Sequence, residues 1–316
     1  MLFAWITQIV TVGVIAWGAY VRATGSGAGC GSHWPTCNGE VLPRSPATAT
    51  IIEYAHRASS GVALVLVLAL ALVAFVAFER GAPARRAALL SLGLMITEAG
   101  IGAAVVLLKL VADDPSAARA VWVAVHLSNT FLLIAALALT AWWGAGGGGL
   151  RLRGRGAIAW PLGASLVALL IVGAAGAITA LGDTLFPAAS FAEGVRGDFA
   201  SSSHFLVRLR VWHPLLGLGA GAIVLATASR VASRCPAGLI PRLRKALSAL
   251  LALQVAAGVL NLALLAPTWM QLVHLLLADV LWVTLVLFAA TALAPEAETL
   301  PGPGRRSVGP ALAGDA

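Results

Sequence analysis

The chain has 316 residues, of which 59% are hydrophobic and only 11% charged, with a formal net charge of +8 and a mean hydropathy of +0.91. This composition is too apolar for a soluble domain. It also excludes a nucleic-acid-binding protein, because the basic residues form no continuous run and are not interleaved with aromatic side chains.

Eight apolar stretches, taken in chain order, are long enough to cross a bilayer. We expect each of them to be a helix, because a helix satisfies its own backbone hydrogen bonds inside a membrane. The first stretch has no basic segment and no Ala-x-Ala cleavage pattern, so we interpret it as a retained span and not as a signal peptide. The predicted fold class is therefore an all-α integral membrane protein. The predicted spans are residues 1–21, 52–78, 87–108, 120–143, 157–181, 205–229, 246–265 and 269–293.

Positive charge is concentrated in alternate loops. Most of the 21 lysines and arginines lie in the C-terminal tail and in the loops at 79–86, 144–156 and 230–245. Such loops are typical of the cytoplasmic side of a bacterial plasma (inner) membrane. We therefore expect a multi-pass protein with both termini in the cytoplasm and with the long loops at 22–51 and 182–204 outside.

The first outer loop is rich in glycine and contains Cys30 and Cys37. On the oxidising outer side, two such cysteines can form a disulfide, which would constrain only the loop. The alternative is a metal site made by Cys30, His33 and Cys37, although no fourth ligand is visible. Cys235, in a predicted cytoplasmic loop, is expected to be a free thiol.

The second predicted span begins with three ionisable side chains, Glu53, His56 and Arg57. Their spacing puts all three on one face of a helix near the membrane surface. Ionisable groups at this depth are expensive to bury and usually functional. Glu53 is a candidate for charge stabilisation or proton transfer. The alternative is that it only pairs with Arg57 and positions the end of the helix.

Other charged side chains near the spans have two interpretations each. Glu98 and Asp279 would take part in a proton path or a propionate network, or would simply pair with a polar neighbour. Arg57 and Arg210 would bind propionate groups of a ligand, or would extend to the lipid headgroups as arginines near helix ends commonly do.

The two halves of the chain are similar in sequence. Val21-Arg-Ala-Thr-Gly resembles Ile178-Thr-Ala-Leu-Gly, and His56 is as far from His213 as these two segments are from each other. Glu98-Ala-Gly-Ile-Gly resembles Ala256-Ala-Gly-Val-Leu at a similar spacing. Because the matches occur in the same order, we infer a duplication with parallel halves.

The duplication predicts the domain organisation. Two pseudo-symmetric four-helix bundles are expected, the first with the outer cysteine loop, joined by a cytoplasmic linker and followed by a disordered cytoplasmic tail. Their predicted ranges are 1–145 for the N-terminal bundle, 146–156 for the linker, 157–295 for the C-terminal bundle and 296–316 for the tail.

Four of the six histidines lie in predicted spans, each near the outer end, so that they share one depth. Two imidazoles from different helices of a four-helix bundle can hold a heme iron axially, and each half supplies one such pair. A single intramembrane histidine is more commonly a hydrogen-bonded packing residue, but four at one depth in duplicated positions favour heme. His33 and His204 lie in outer loops, where solvated side chains are expected. The four histidines in spans are His56, His126, His213 and His274.

Three groups of residues together resemble the heme A synthase family, over about residues 5–293. The resemblance implies an eight-helix protein that oxidises the C8 methyl group of heme O to the formyl group of heme A, for insertion into cytochrome oxidase. The groups are Arg22-x-Thr-Gly-Ser-Gly-x-Gly-Cys with Trp34-Pro-x-Cys-x-Gly, then Ile51-Ile-Glu-Tyr-x-His-Arg, and then the three later histidines.

The same resemblance implies the roles of site residues and the partners. Heme B would be a cofactor ligated by His213 and His274, whereas heme O, the substrate, would face His56 and His126. Glu53 would be the catalytic carboxylate, with both heme sites near the outer face. The implied partners are heme O synthase, cytochrome oxidase assembly factors, an electron donor that the sequence does not identify, and a further copy of the chain in a homo-oligomer.

Two features depart from the family pattern. Many members have a second cysteine pair in the outer loop between spans five and six, but the loop from Asp183 to Ser203 has no cysteine. Arg210 stands where the C-terminal half would have the counterpart of Glu53. This asymmetry fits one catalytic and one electron-transfer site. The alternative function is a non-catalytic bis-histidine membrane cytochrome b that carries electrons, and the presence of Glu53 beside His56 argues against it. A transporter is less consistent with spans that have few polar residues at their midpoints.

Overall fold

A computed structural model describes residues 1–44 and 46–294. Within these residues the chain forms helices and loops, with a single isolated β-bridge between Cys37 and Glu40. The all-α class is therefore confirmed. The predicted tail at 296–316 lies outside the described residues.

All eight predicted spans are helices that are long and apolar enough to cross a membrane. The sixth span runs from Phe205 to Arg234 as a short helix α7, a 3₁₀ turn and the longer helix α8. The spans are α1 (Leu2–Ala23), α2 (Thr48–Ala77), α3 (Pro83–Leu107), α4 (Ala117–Gly144), α5 (Gly156–Leu185), α7 (Phe205–Arg208) with α8 (Trp212–Arg234), α9 (Ile240–Ala263) and α10 (Thr268–Leu293).

Local signals explain where several of these helices begin. Pro83 occupies the first turn of α3, where its missing N–H leaves no hydrogen bond unmade. Ser116 caps α4, because its hydroxyl accepts a hydrogen bond of 3.1 Å from the Arg119 N–H. The turn before α10 places Leu265 and Ala266 at positive φ, so a tight reversal joins α9 to α10.

The helices of each half pack in a closed ring. In the first half α1 contacts α2, α2 contacts α3, α3 contacts α4, and α4 contacts α1 again. In the second half α5, α8, α9 and α10 follow one another in the same way. This packing is what two four-helix bundles require, while their pseudo-symmetry stays a prediction.

The two rings meet along α1 and α4 on one side and α5 and α10 on the other. The indole N–H of Trp282 in α10 donates a hydrogen bond of 2.6 Å to the Phe131 carbonyl of α4. The aromatic side chains of the same two residues stack with their centroids 5.4 Å apart. Arg22, at the end of α1, donates to the Ala180 carbonyl at 2.6 Å and to the Thr184 hydroxyl at 2.7 Å. Side chains of the first half are thus bonded directly to helices of the second.

The loop after α1 contains a disulfide between Cys30 and Cys37, whose Cα atoms are 4.4 Å apart. Both cysteines are buried, and Cys235 is free, as predicted. The alternative metal site with His33 is therefore wrong, since the thiols are bonded to each other. We call the membrane side on which this loop lies the disulfide end of the bundle.

The loop after α5 contains a helix that the sequence analysis did not predict, α6 (Phe191–Phe199). The Ser190 hydroxyl accepts a hydrogen bond of 3.2 Å from the Glu193 N–H, and the Glu193 carboxylate accepts one of 3.3 Å from the Ala189 N–H. Serine followed three residues later by glutamate is a capping box, which starts helices. This signal was present in the sequence.

Candidate functional site

The four histidines in the spans lie within about three turns of the N-terminal ends of their helices. These ends belong to the disulfide end of the bundle. Val111, after α3, lies 3.6 Å from the place of a Cβ on Gly27 in the disulfide loop, and Arg22 reaches Gln271 of α10 at 2.8 Å. The histidines therefore share one level of the bundle.

Each of these histidine rings lies against a glycine of the preceding span. A methyl group on Gly18 or Gly176 would lie only 2.9 Å from the Cε1 of the adjacent histidine, and one on Gly258 would lie 3.1 Å from it. On Gly102 the corresponding distance is 3.8 Å. The absence of a side chain thus provides the space that the rings occupy. The pairs are Gly18 and His56, Gly102 and His126, Gly176 and His213, and Gly258 and His274.

In the C-terminal half, His213 and His274 face each other with ring centroids 6.2 Å apart and ring planes at 84°. Two metal–nitrogen bonds of about 2 Å, plus the distance from each nitrogen to its ring centre, give a similar separation. The Nδ1 atoms of both rings are buried and have no hydrogen-bond partner among the described residues. The spacing and the glycine spaces fit an iron held between two imidazoles.

In the N-terminal half, His126 is bound by a carboxylate. Its Nε2 lies 3.1 Å from Oε1 of Glu98 on α3. The same carboxylate accepts hydrogen bonds from the Asn129 amide at 2.5 Å and from the Thr130 hydroxyl. His56 has a buried Nδ1 without a partner in the described chain. Of the two interpretations of Glu98, the structure contains the pairing with polar neighbours.

The C-terminal half has an amide in the corresponding place. The Gln254 side-chain nitrogen lies 3.3 Å from Nε2 of His274. Gln254 precedes Gly258 by one helical turn, as Glu98 precedes Gly102, and the two glycines contact His274 and His126. The contacts therefore make Gln254 the counterpart of Glu98. The similarity of the two halves in sequence had instead paired Glu98 with Ala256, two residues later.

Glu53 is buried, with 3% of its surface exposed, at the start of α2. Its Oε2 accepts a hydrogen bond of 2.8 Å from the Cys30 N–H, and its Oε1 accepts bonds of 2.5 and 3.2 Å from Arg57. Arg57 also donates to the carbonyls of His33 and Thr36, at 2.6 and 2.7 Å. Both side chains therefore attach the disulfide loop to α2, and the catalytic role of Glu53 stays a prediction.

Gly29 brings this loop close to α2. A Cβ on Gly29 would lie 2.4 Å from the Ala49 carbonyl, which no side chain could tolerate. At the same place the Thr50 hydroxyl donates a hydrogen bond of 2.8 Å to the Gly29 carbonyl. The glycine of the Gly-Cys sequence thus allows backbone to approach backbone.

Arg210 stands three residues before His213, as Glu53 stands before His56, and it fastens the loop after α5. It lies 3.0 Å from the Asp183 carboxylate and donates to the carbonyls of Gly182 and Phe186, at 2.8 and 2.6 Å. The Asp198 carboxylate at the end of α6 lies 4.0 Å away. These contacts engage Arg210 within the protein, and its role toward a propionate stays a prediction.

Asp279 in α10 is 1% exposed, and neither of its carboxylate oxygens has a hydrogen-bond partner in the part of the chain that the structure describes. Its role in a proton path stays a prediction.

His204 differs from the solvated side chain that was expected. Its ring stacks on Phe186 at 4.7 Å and contacts the tilted ring of Phe205 at 4.5 Å, and its Nδ1 accepts a hydrogen bond from the Leu206 N–H.

Comparison with known proteins identifies the family. Residues 1–286 match the cytochrome oxidase assembly protein family COX15-CtaA. The chain belongs to this family. The resemblance to heme A synthases that the sequence motifs indicated is confirmed at this level, and with it the assignment of the chain as a multi-pass membrane protein.

Several known proteins are similar to this chain in sequence. Two proteins called protoheme IX farnesyltransferase, from two strains of Thermus thermophilus, are each 52% identical over 291 residues, which cover 92% of this chain and 48% of theirs. Heme A synthase of an Exiguobacterium species is 37% identical over 107 residues, 33% of this chain and 36% of that protein. This chain therefore spans about half the length of the Thermus relatives.

Proposed function

We propose that the chain is an enzyme of heme A biosynthesis, a heme A synthase that oxidises the C8 methyl group of heme O to a formyl group. The conversion replaces two methyl hydrogens by one oxygen and is therefore an oxidoreductase reaction. The observation that carries the proposal is the set of four histidines at one level, each seated against a glycine, in a member of this family. Relatives named heme A synthase support the choice of reaction.

We assign the two histidine pairs to two hemes. His213 and His274 would ligate heme B, which supplies electron transfer when it is bound. His56 and His126 would hold the substrate heme and orient its methyl group. The facing rings at 6.2 Å support the first assignment, and the matching glycine contacts of the other pair support the second.

Glu53 would be the catalytic carboxylate. It precedes His56 by one turn of α2, and its contacts with Arg57 and the Cys30 N–H fix its position. A fixed carboxylate at a porphyrin edge would stabilise positive charge that develops on the methyl carbon. Arg57 would act as a positioning residue, because it connects Glu53 to the loop above the site.

We place the protein in the bacterial plasma membrane, with the disulfide end outside and both termini in the cytoplasm. An enzyme that attaches a farnesyl group to protoheme IX would supply the substrate. The name and length of the Thermus relatives support a close relation to that step, since this chain matches about half of each. Cytochrome oxidase assembly factors, an electron donor and a second copy of the chain are the other proposed partners.

A second function is favoured by one observation. The contacts of Glu53 with Arg57 and the disulfide loop give it a structural task, as expected of a bis-histidine cytochrome b that only carries electrons. Pigment analysis of the purified chain separates the two proposals. Heme B together with heme O or heme A supports the synthase, heme B alone leaves the carrier open, and a chain without heme contradicts both.

A further inference from the structure

The two halves place different side chains on equivalent histidine nitrogens. Glu98 presents a carboxylate oxygen to Nε2 of His126 at 3.1 Å, and Gln254 presents an amide nitrogen to Nε2 of His274 at 3.3 Å. The ligand nitrogen of one half therefore has a carboxylate neighbour and that of the other half a neutral amide.

The surroundings of the two side chains increase this difference. Glu98 is held by the Asn129 amide at 2.5 Å and by the Thr130 hydroxyl, and Asn129 in turn accepts a hydrogen bond of 2.8 Å from the Thr97 hydroxyl. The carboxylate therefore has a fixed position beside His126.

The amide of Gln254 has no such support. Its Oε1 is buried without a hydrogen-bond partner in the described residues. Leu277 and Ala278 follow His274 at the spacing at which Asn129 and Thr130 follow His126, and neither has a polar side chain. The carboxylate has a supporting network, and the amide does not.

We propose that Glu98 makes the N-terminal heme site exchangeable and that Gln254 lets the C-terminal site retain its heme. This inference rests on the proposed function only for the assignment of a heme to each histidine pair. Glu98 and iron compete for Nε2 of His126. A hydrogen bond to a carboxylate is roughly twice as strong as one between neutral groups. An imidazole that leaves the iron and whose proton moves from Nδ1 to Nε2 is therefore captured by Glu98. The neutral amide of Gln254 captures His274 more weakly.

The consequence is a division of labour between substrate and cofactor. A substrate site has to release its product after each turnover, whereas a cofactor site has to keep its heme. In the N-terminal half, Glu98 lowers the free energy of the released state relative to the bound state. No counterpart with a charge acts on His274 among the residues that the structure describes.

The test is a reciprocal exchange of the two side chains in the full-length protein. Glu98→Gln gives the N-terminal half the neutral group of the C-terminal half, and Gln254→Glu does the reverse. Both sites are loaded with heme B, and loss of heme to excess apomyoglobin is followed by absorbance. A His274→Ala background isolates the N-terminal site, and a His126→Ala background isolates the C-terminal site.

We expect Glu98→Gln to slow heme loss from the N-terminal site by about tenfold. We expect Gln254→Glu to accelerate heme loss from the C-terminal site by a similar factor. A tenfold change in rate corresponds to about 1.4 kcal/mol. Asn129→Leu, which copies Leu277, should slow N-terminal loss by a smaller factor because Glu98 loses part of its support. Glu79→Gln, in the loop between α2 and α3, is the matched control and should change neither rate.

Unchanged or opposite rates in variants that bind normal amounts of heme overturn the proposal. If Glu98→Gln does not fold, Gln254→Glu and Asn129→Leu decide the question alone. The assay needs no heme A, so the two proposals fail separately. Altered exchange without heme A formation would contradict the synthase only, and heme A formation with unaltered exchange would contradict the role of Glu98 only.

Discussion

The loops at the disulfide end of the two halves are fastened in different ways from the same helix position. In the N-terminal half, Glu53 and Arg57 hold a disulfide loop against α2. In the C-terminal half, Arg210 holds the loop that contains α6 through Asp183 and two backbone carbonyls. The residue three positions before the histidine therefore attaches a loop in both halves, with opposite charge.

This difference matters for chemistry because only one half has a carboxylate there. Whatever heme His56 binds would have Glu53 one turn away, whereas a heme on His213 would have a guanidinium that pairs with Asp183 and binds two backbone carbonyls. Attachment of a loop does not require a carboxylate, as Arg210 demonstrates. The use of one in the N-terminal half is consistent with an additional task for Glu53.

The largest difference between the halves should appear when the C-terminal histidines are removed. His213→Ala or His274→Ala should abolish bound heme B and its six-coordinate, low-spin spectrum, because one axial ligand is lost. Pigment extraction and absorbance spectra measure this effect. His204→Ala, outside the four positions, is the control and should keep the spectrum. Normal heme B in both variants would rule out the pairing.

Glu53→Gln tests whether the N-terminal half alone carries out the reaction. The amide keeps the shape of the side chain but loses its charge, so we expect a folded protein with both hemes that accumulates heme O or a partly oxidised product. The rate of heme A formation should fall by about 10²-fold or more, as for loss of an electrostatic catalytic group. Chromatography of extracted hemes measures it.

Two other results are informative for Glu53. Loss of heme or of folded protein in Glu53→Gln would support a purely structural role in holding the disulfide loop. Normal heme A formation with normal pigment content would show that the catalytic assignment is wrong. Arg57→Lys, which keeps a charge but not the forked contacts with Glu53 and the loop carbonyls, should have a smaller effect on the same rate.

The glycine pairs predict a graded effect on the histidines. Gly176→Ala would place a methyl group 2.9 Å from His213 and should shift the heme spectrum, with a destabilisation of about 1–3 kcal/mol from overpacking. Gly163→Ala, on the same helix α5 but in open space, is the matched control. In the N-terminal half, Gly18→Ala should change the spectrum more than Gly102→Ala, because the distances are 2.9 and 3.8 Å. Equal spectra in all four variants would contradict the proposed seating.

The smallest effect should come from the disulfide, which closes a short loop. Reduction, or replacement of Cys30 and Cys37 by serine, should lower stability by about 2 kcal/mol and leave the C-terminal heme unchanged. Thermal unfolding followed separately at each heme measures this. Alkylation of the folded, unreduced protein should label only Cys235, and labelling of all three cysteines would contradict the bridge.

Much of the fold was predictable because its signals are local. A span is recognised by a continuous apolar stretch, and all eight were predicted with ends that differ by a few residues from the observed ones. The four histidines were found because imidazole is rare in such stretches. The disulfide followed from two cysteines in one outer loop, and it is confirmed.

Contacts between distant parts of the chain were not predictable. The sequence does not distinguish Gln254 from other polar residues, and only the packing of α9 on α10 brings it to His274. Pairing Glu98 with Ala256 in the sequence also concealed that Gln254 is the counterpart of Glu98. The packing of His204 against Phe186 and Phe205 likewise depends on how two segments of the chain meet. The helix α6 is different, because the capping box at Ser190 and Glu193 was readable in the sequence.

The contacts of Arg22 have a consequence for how the protein is made. Its guanidinium binds Ala180 and Thr184 of α5 and Gln271 of α10, so the bonding at the end of α1 is complete only after α10 has packed. Before that step, the cation at the end of α1 is incompletely bonded. Membrane quality control that detects such cations would therefore distinguish chains in which α10 has not yet packed from chains in which it has.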